Sequence, residues 1–237
     1  MNYRSAILLA IPTLGISLAA FLRPMAVVRV PVTGTVFYRG DVASGDIINM
    51  SVDPFCASQQ ATAQATNRSV YTGANGGLQD VVVFVKTGIP PDPGSLSGEM
   101  PLLDQQGCMY RPRIVAMRTD QPLVIRNSDA TLHNVHVYAE VNRGFNIGQP
   151  FQGVESQRRF SDQEIGIDVR CDIHGWMNGA IAVFSHSYFD VTTPDGQFSL
   201  DLPPGDYDIE AWHPQLGSST QTVTVRAGEM TPLVFEF

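Results

Sequence analysis

The chain has 237 residues, 43% of them hydrophobic and only 16% charged, which excludes a disordered polyelectrolyte and leaves enough apolar material for one medium domain or two small ones. Its 15 basic and 23 acidic residues give a net charge of −8 with no basic run to neutralise phosphates, so nucleic acid is excluded as a partner. The 21 glycines and 16 prolines suit short strands joined by turns better than they suit helices.

Arg4 is followed by an uncharged stretch, Ser5–Leu22, closed by Arg23-Pro24. A bilayer-crossing helix needs roughly 20 apolar residues, and this run sits at the short edge of that requirement. Residues 1–24 are therefore expected to form one N-terminal transmembrane helix in contact with the lipid bilayer. A cleavable signal peptide, with small residues at Ser17–Ala20, is the alternative. Both readings imply export. A retained anchor places the rest of the chain on the periplasmic side of the inner membrane; cleavage leaves it soluble in the periplasm.

Three cysteines, Cys56, Cys108 and Cys171, are an odd count, which in an exported chain suggests one disulfide and one thiol with a separate task. The ligand-like surroundings of Cys171 leave Cys56 and Cys108 as the pair, worth about 4 kcal/mol in the chain-entropy model. Two unpaired buried thiols are the alternative.

Beyond the first segment, alternating and β-branched runs recur between turn residues. Strands are expected at Val32–Tyr38, Val81–Val85, Arg113–Met117, Leu123–Arg126, Val135–Tyr138, Ile165–Arg170 and Ala180–Phe184. A second series covers Tyr188–Thr192, Phe198–Leu202, Tyr207–Trp212, Gln221–Val225 and Leu233–Phe237, punctuated by Thr193-Pro194-Asp195-Gly196 and Pro203-Pro204-Gly205-Asp206. Asp53–Gly77 is polar and patternless, a long surface loop or a weak helix around Ser58–Thr66; Ile89–Gly98 reads as another loop. The fold class is all-β, arranged as two sandwiches. The expected division is an anchor over 1–24, a strand plus long loop over 25–77, a first sandwich over 78–185 and a smaller one over 186–237. Val32–Val36 could supply a strand that the last segment lacks.

The informative stretch runs from Ile165 to Met177. Residues two apart in a strand share a face, so Ile165, Ile167, Val169 and Cys171 are expected to point into the core, with Cys171 at the strand's end. His174 and Met177 follow on a tight loop that turns back towards it. A thiolate, an imidazole and a thioether form a soft ligand set of the kind that selects copper, and a trigonal Cys/His/His site with a long axial Met is the blue-copper arrangement. The second histidine comes from Leu132–Val137: His133 shares a face with Val135 and Val137, whereas His136 points outward. Singly, such residues are more often packing or solvated side chains. Together, C-x2-H-x2-M after an alternating strand and an inward histidine upstream make a specific pattern. A zinc site of Cys171, His174, His133 and His136 or His213 is disfavoured by the thioether and the lack of a second thiolate. Five histidines are too few for a multicopper oxidase.

At these residues the chain resembles a cupredoxin. Asn127-Ser-Asp-Ala-Thr-Leu-His133-Asn-Val is similar to the segment that carries that family's first histidine ligand, and the short loop from Cys171 to Met177 is similar to the one in amicyanin, with Gly175 where that loop has a proline. The likeness covers roughly Leu78–Ser185 and implies a Greek-key cupredoxin sandwich. Phe198–Gly217 resembles the carboxypeptidase regulatory-like, transthyretin-like β-sandwich, which implies a structural or docking module.

The resemblance implies one type 1 copper held by His133, Cys171, His174 and Met177, exchanging single electrons without bond-making on a substrate, so no enzyme is expected. Asn134 is placed to bond the opposite ligand loop. His174 is expected to be the exit for the electron, with Trp176 in an apolar docking patch beside it. The expected partner is a membrane-bound electron-transfer complex, respiratory or photosynthetic, or a cytochrome. The rival reading is an accessory subunit of such a complex, with the cupredoxin fold kept and the metal site unused. His186 and the Trp212-His213-Pro214 stretch are expected to be structural.

Overall fold

The computed structural model describes residues 28–60, 64–91, 100–230 and 232–237. The expected membrane segment, 1–24, lies outside the described residues, as does most of the loop at Ile89–Gly98. Among the described residues no helix is long and apolar enough to cross a membrane.

Strands dominate. In chain order they are β1 (Val30–Phe37), β2 (Asp46–Ile47), β3 (Thr66–Asn67), β4 (Val82–Thr87), β5 (Leu102–Gln105), β6 (Tyr110–Arg111), β7 (Ile114–Arg118), β8 (Leu123–Asn127) and β9 (His133–Tyr138). They continue as β10 (Phe145–Gln149), β11 (Glu155–Arg158), β12 (Glu164–Arg170), β13 (Asn178–Phe184), β14 (Phe189–Val191), β15 (Gln197–Leu202), β16 (Gly205–His213), β17 (Gly217–Val225) and β18 (Leu233–Glu236). Among the described residues one short helix, α1 (Pro54–Gln60), lies between β2 and β3.

Four of the sheets stack face to face: β15-β1-β18, then β14-β4-β16-β17, then β10-β9-β12-β13-β7, then β11-β8-β5-β6. The small β2-β3 pair stands apart from this stack. The order follows from which faces share a core. Val32, Leu200 and Phe235 pack against Val83, Val85 and Ile209 in the first layer of side chains. Val82 and Phe84, on the opposite face of β4, meet Ala180, Ala182 and Phe184 of β13. Ile181 and Val183, on the other face of β13, join Val135, Val169 and Leu123 in the third layer. β4 and β13 are thus apolar at consecutive positions because both of their faces are covered.

β1 is the central strand of its sheet, antiparallel to β15 and parallel to β18. Gly34 is required there: a Cβ would stand 2.3 Å from the Leu233 carbonyl oxygen and 2.5 Å from the Phe198 ring. The run Val81–Val85, expected within the first sandwich over 78–185, forms its ladders elsewhere. As β4 it pairs with β14 and β16. Alternation reveals that a strand is buried but not which sheet claims it.

β12 corrects a second expectation. Its register shifts between Ile165 and Ile167, at Gly166, whose φ of 86° places it in the left-handed region. The bulge turns Ile165 away from Ile167 and Val169 and towards Phe184 and Trp212 on the opposite face. Downstream of it the alternation holds, so Val169 and Cys171 share the core face. In the stretch Asp53–Gly77 the helix stands earlier than Ser58–Thr66, because Asp53 caps it by accepting the Phe55 and Cys56 amides at 2.8 and 3.1 Å.

His213, at the end of β16, is fully buried; its Nδ1 accepts the Gln215 amide at 3.2 Å, and its Nε2 has no partner among the described residues. Burial and the Arg113 guanidinium, only partly offset by Asp80, depress its pKa to about 4. The unfolded chain therefore binds a proton at His213 more readily than the folded one, and stability present above the ordinary value near 6.5 is lost as pH falls towards 4. Wild type should lose about 2 kcal/mol more than His213→Gln between pH 7.5 and pH 5 in urea titrations. Equal losses in the two proteins would disprove the assignment.

Candidate metal centre

β9 carries His133 into the core with its side chain wholly buried between Val135 and its neighbours. Its Nε2 lies 2.9 Å from Asp129 Oδ2, and its Nδ1 lies 2.9 Å from Nδ1 of His174. β12 ends one residue before Cys171, which is 2% exposed. The chain then turns tightly. The Met177 amide donates to the His174 carbonyl at 2.8 Å, and the Cys171 amide donates to the Met177 carbonyl at 3.2 Å, after which β13 begins. This turn places His174 and Met177, 2% and 1% exposed, beside the cysteine. His133, Cys171 and His174 each present a ligand atom within 4.8 Å of the other two, and Met177 shares their apolar cluster. His136 and His213 belong to no such group among the described residues, so a zinc site using either lacks its fourth ligand.

The sulfur is held by the ends of two elements. The Cys171 thiol donates to Asn134 Oδ1 at 3.2 Å and accepts the His174 amide at 3.4 Å. Asn134 also accepts the Asp172 amide at 2.7 Å and donates to Asp172 Oδ2 at 2.9 Å, bonding β9 to the ligand turn. His136 points outward, as its position on the strand requires, with Nδ1 3.0 Å from Asp172 Oδ1 and its ring stacked on Tyr138 at 4.0 Å.

Each histidine has a carboxylate behind it. Asp129 accepts the Gly107 and Cys108 amides at 2.8 and 2.7 Å, besides facing His133. Asp53 Oδ2 lies 3.2 Å from His174 Nε2 and accepts the Thr131 hydroxyl at 2.6 Å. Neither aspartate was singled out in the sequence. Asp129 stands four residues before His133, a spacing that could have found it; Asp53 lies 121 residues from His174 and left no local sign.

These contacts set the proton balance. Burial alone would depress His133, but the hydrogen bond to Asp129 and the nearness of Cys171 outweigh it and raise its pKa to about 9. Burial would push the Cys171 thiol up, but the hydrogen bond with His133 and the surrounding amides more than reverse this and hold its pKa below the ordinary thiol value. Burial and the charge on His133 lower His174. The consistent assignment is a His133 cation donating from Nδ1 to a neutral His174, whose own proton sits on Nε2 and faces Asp53. Both Nδ1 atoms therefore face inward and both Nε2 atoms are committed to carboxylates.

Cys56 and Cys108 form a disulfide, with Cα atoms 5.6 Å apart. Its position covers His174, the residue expected to be the exit for the electron. The bond draws α1 across the end of the sandwich, so that Cys56 Sγ lies 3.8 Å from His174 Nε2 and the imidazole has no edge in solvent. Trp176 is turned inward as well and is only partly exposed. Its Nε1–H donates to the Cys108 carbonyl at 3.0 Å, and its ring lies 4.9 Å from that of His174.

Asp129→Asn should lower the His133 pKa from about 9 by roughly 1–3 units in metal-free protein, as read from the ring nitrogens by NMR. An unchanged titration would show that another group holds the proton.

No protein-family model matches the sequence, and no curated protein matches it. Among solved structures the chain is similar to a Cu-containing nitrite reductase from Thermus scotoductus SA-01, with 18% identity and a TM-score of 0.35 over 40% of this chain. That alignment spans only 27% of the reductase chain. A Cu(I) form of an amicyanin mutant is 17% identical with a TM-score of 0.32, the match covering 43% of this chain and 97% of amicyanin. A purple cupredoxin from Nitrosopumilus maritimus is 16% identical with a TM-score of 0.31, covering 35% of this chain and 98% of that one.

Proposed function

We propose that this chain is a type 1 copper protein of the cupredoxin kind that carries single electrons, anchored at the periplasmic face of a membrane by its N-terminal segment. Its partner in this reading is a membrane-bound respiratory or photosynthetic complex, or a cytochrome. The observation that carries the proposal is the convergence of His133, Cys171 and His174 within 4.8 Å, walled by Met177 and shut off from water.

The donor set fits copper. Cys171 Sγ and the inward Nδ1 atoms of His133 and His174 would hold the ion, with Met177 as a weaker fourth ligand. Bound copper would supply one-electron exchange between Cu(I) and Cu(II). The chain's own residues do the rest. Asn134 and the His174 amide fix the sulfur; Asp129 and Asp53 fix the two rings; the apolar cluster excludes water. No bond-making on a substrate is part of this reading.

A second reading, an accessory subunit of a membrane complex whose metal site is unused, is favoured by one observation. The imidazole of His174 lies covered beneath α1, whereas a carrier would present it to a partner.

Purified protein given Cu(II) should develop an intense visible thiolate band with about one copper per chain, and Cys171→Ala should lose the band entirely while its far-ultraviolet circular dichroism stays unchanged. Absence of the band in wild type would remove the electron carrier. Stoichiometric co-purification with a membrane complex, without metal, would establish the accessory subunit instead.

A further inference from the structure

The two half-cystines do more than close a loop. The Cys56 amide donates to Asp53 Oδ1 at 3.1 Å, and the Cys108 amide donates to Asp129 Oδ2 at 2.7 Å. Asp53 and Asp129 are the carboxylates that face Nε2 of His174 and of His133. One disulfide is therefore bonded, through the backbone of each of its halves, to the partner of each candidate ligand histidine. Around it Ile48, Met50, Phe55 and Met109 form a separate apolar cluster that Trp176 joins to the ligand turn.

We infer that the Cys56–Cys108 bridge, Asp53 and Asp129 form a single clamp. It orients both imidazoles with Nδ1 towards Cys171 and closes the centre, so that metal affinity depends on a bond remote in sequence from every ligand. The inference deepens the copper reading and rests on it for the identity of the ion. Asp53 and Asp129 are positioning residues: each acts through a ring and neither reaches the ligand atoms.

Asp53→Asn isolates this role. The retained carbonyl oxygen still caps α1 where Oδ1 does now, whereas the new amide would aim N–H groups at His174 Nε2 in place of an acceptor. The ring should answer by moving its proton to Nδ1, the atom needed for the metal, with His133 releasing its own Nδ1 proton and accepting in turn across the 2.9 Å contact. Ring-nitrogen NMR of the metal-free protein at neutral pH should show His174 as the Nε2–H tautomer in wild type and as the Nδ1–H tautomer in Asp53→Asn. In Cys56→Ser/Cys108→Ser it should be a mixture. Copper affinity, measured by competition with a chelator, should fall roughly 10- to 100-fold in each variant.

An unchanged His174 tautomer in both variants would overturn the clamp. So would wild-type copper affinity in both. If removal of the bridge unfolds the chain, Asp53→Asn decides alone, since it leaves the disulfide and the helix cap in place. If wild type binds no copper at all, the copper reading falls, and the tautomer spectrum still decides for or against the clamp.

Discussion

A carboxylate and an imidazole buried against each other, Asp129 and His133, impose the constraint that the rest of the site obeys. Neither can shed its charge into solvent: Asp129 is 3% exposed and His133 not at all. Breaking such a buried pair by removing one partner typically costs 3–5 kcal/mol, because the other charge is stranded. The pair is tolerated only if the carboxylate's remaining lone pairs are also satisfied, and the chain meets that need with successive amides. Gly107 and Cys108 both adopt left-handed backbone conformations, with φ of 64° and 56°, which turn two N–H groups onto Asp129. For a cysteine this conformation is disfavoured by roughly 1–2 kcal/mol, and two charge-assisted hydrogen bonds offset it. The disulfide then begins from a residue whose backbone is already fixed.

Rigidity comes from the layers. The candidate ligands arise from β9 and from the β12–β13 turn, all in one sheet that is covered on its second face across β12, β13 and β7. Phe184 illustrates the coupling: it is fully buried and stacks on Phe189 at 4.8 Å and against Phe84 at 4.9 Å, joining β13 to the sheet behind it. Movement of the ligand turn would therefore disturb two packed cores at once. Such a mounting leaves the turn little freedom to change shape.

What the sequence revealed follows the range of the interaction. His133, Cys171, His174 and Met177 were legible because each is placed by local geometry, strand alternation on β9 and two closely spaced steps after β12. Long strands with one dry face, such as β15 and β9, were legible for the same reason. β5 was not: its inward positions include Asp104 and Gln105, which bury polar groups that hydrophobic periodicity cannot register. β10 and β11 were missed because neither carries a continuous apolar run: Phe145 and Ile147 are only partly buried, Gln149 is a buried polar residue, and β11 is wholly polar. The bulge at Gly166 reversed one side chain, Ile165, that strict alternation had placed inside.

The exposure of His174 depended on a contact no local pattern encodes. Nothing in Asp53 or Cys56 announces that α1 will cross the mouth of a sandwich built more than a hundred residues later, yet that crossing decides which part of the site meets the outside. With His174 covered, the polar path from Cys171 to solvent runs through Asn134 to Asp172 and on to His136, stacked on the exposed Tyr138. Arg170 also lies over the Tyr138 ring, at 5.8 Å. The centre is thus closed where α1 lies and hydrogen-bonded to surface side chains along the β9–β12 face, because the same disulfide that is bonded to the partners of the two histidines occupies the ground above one of them.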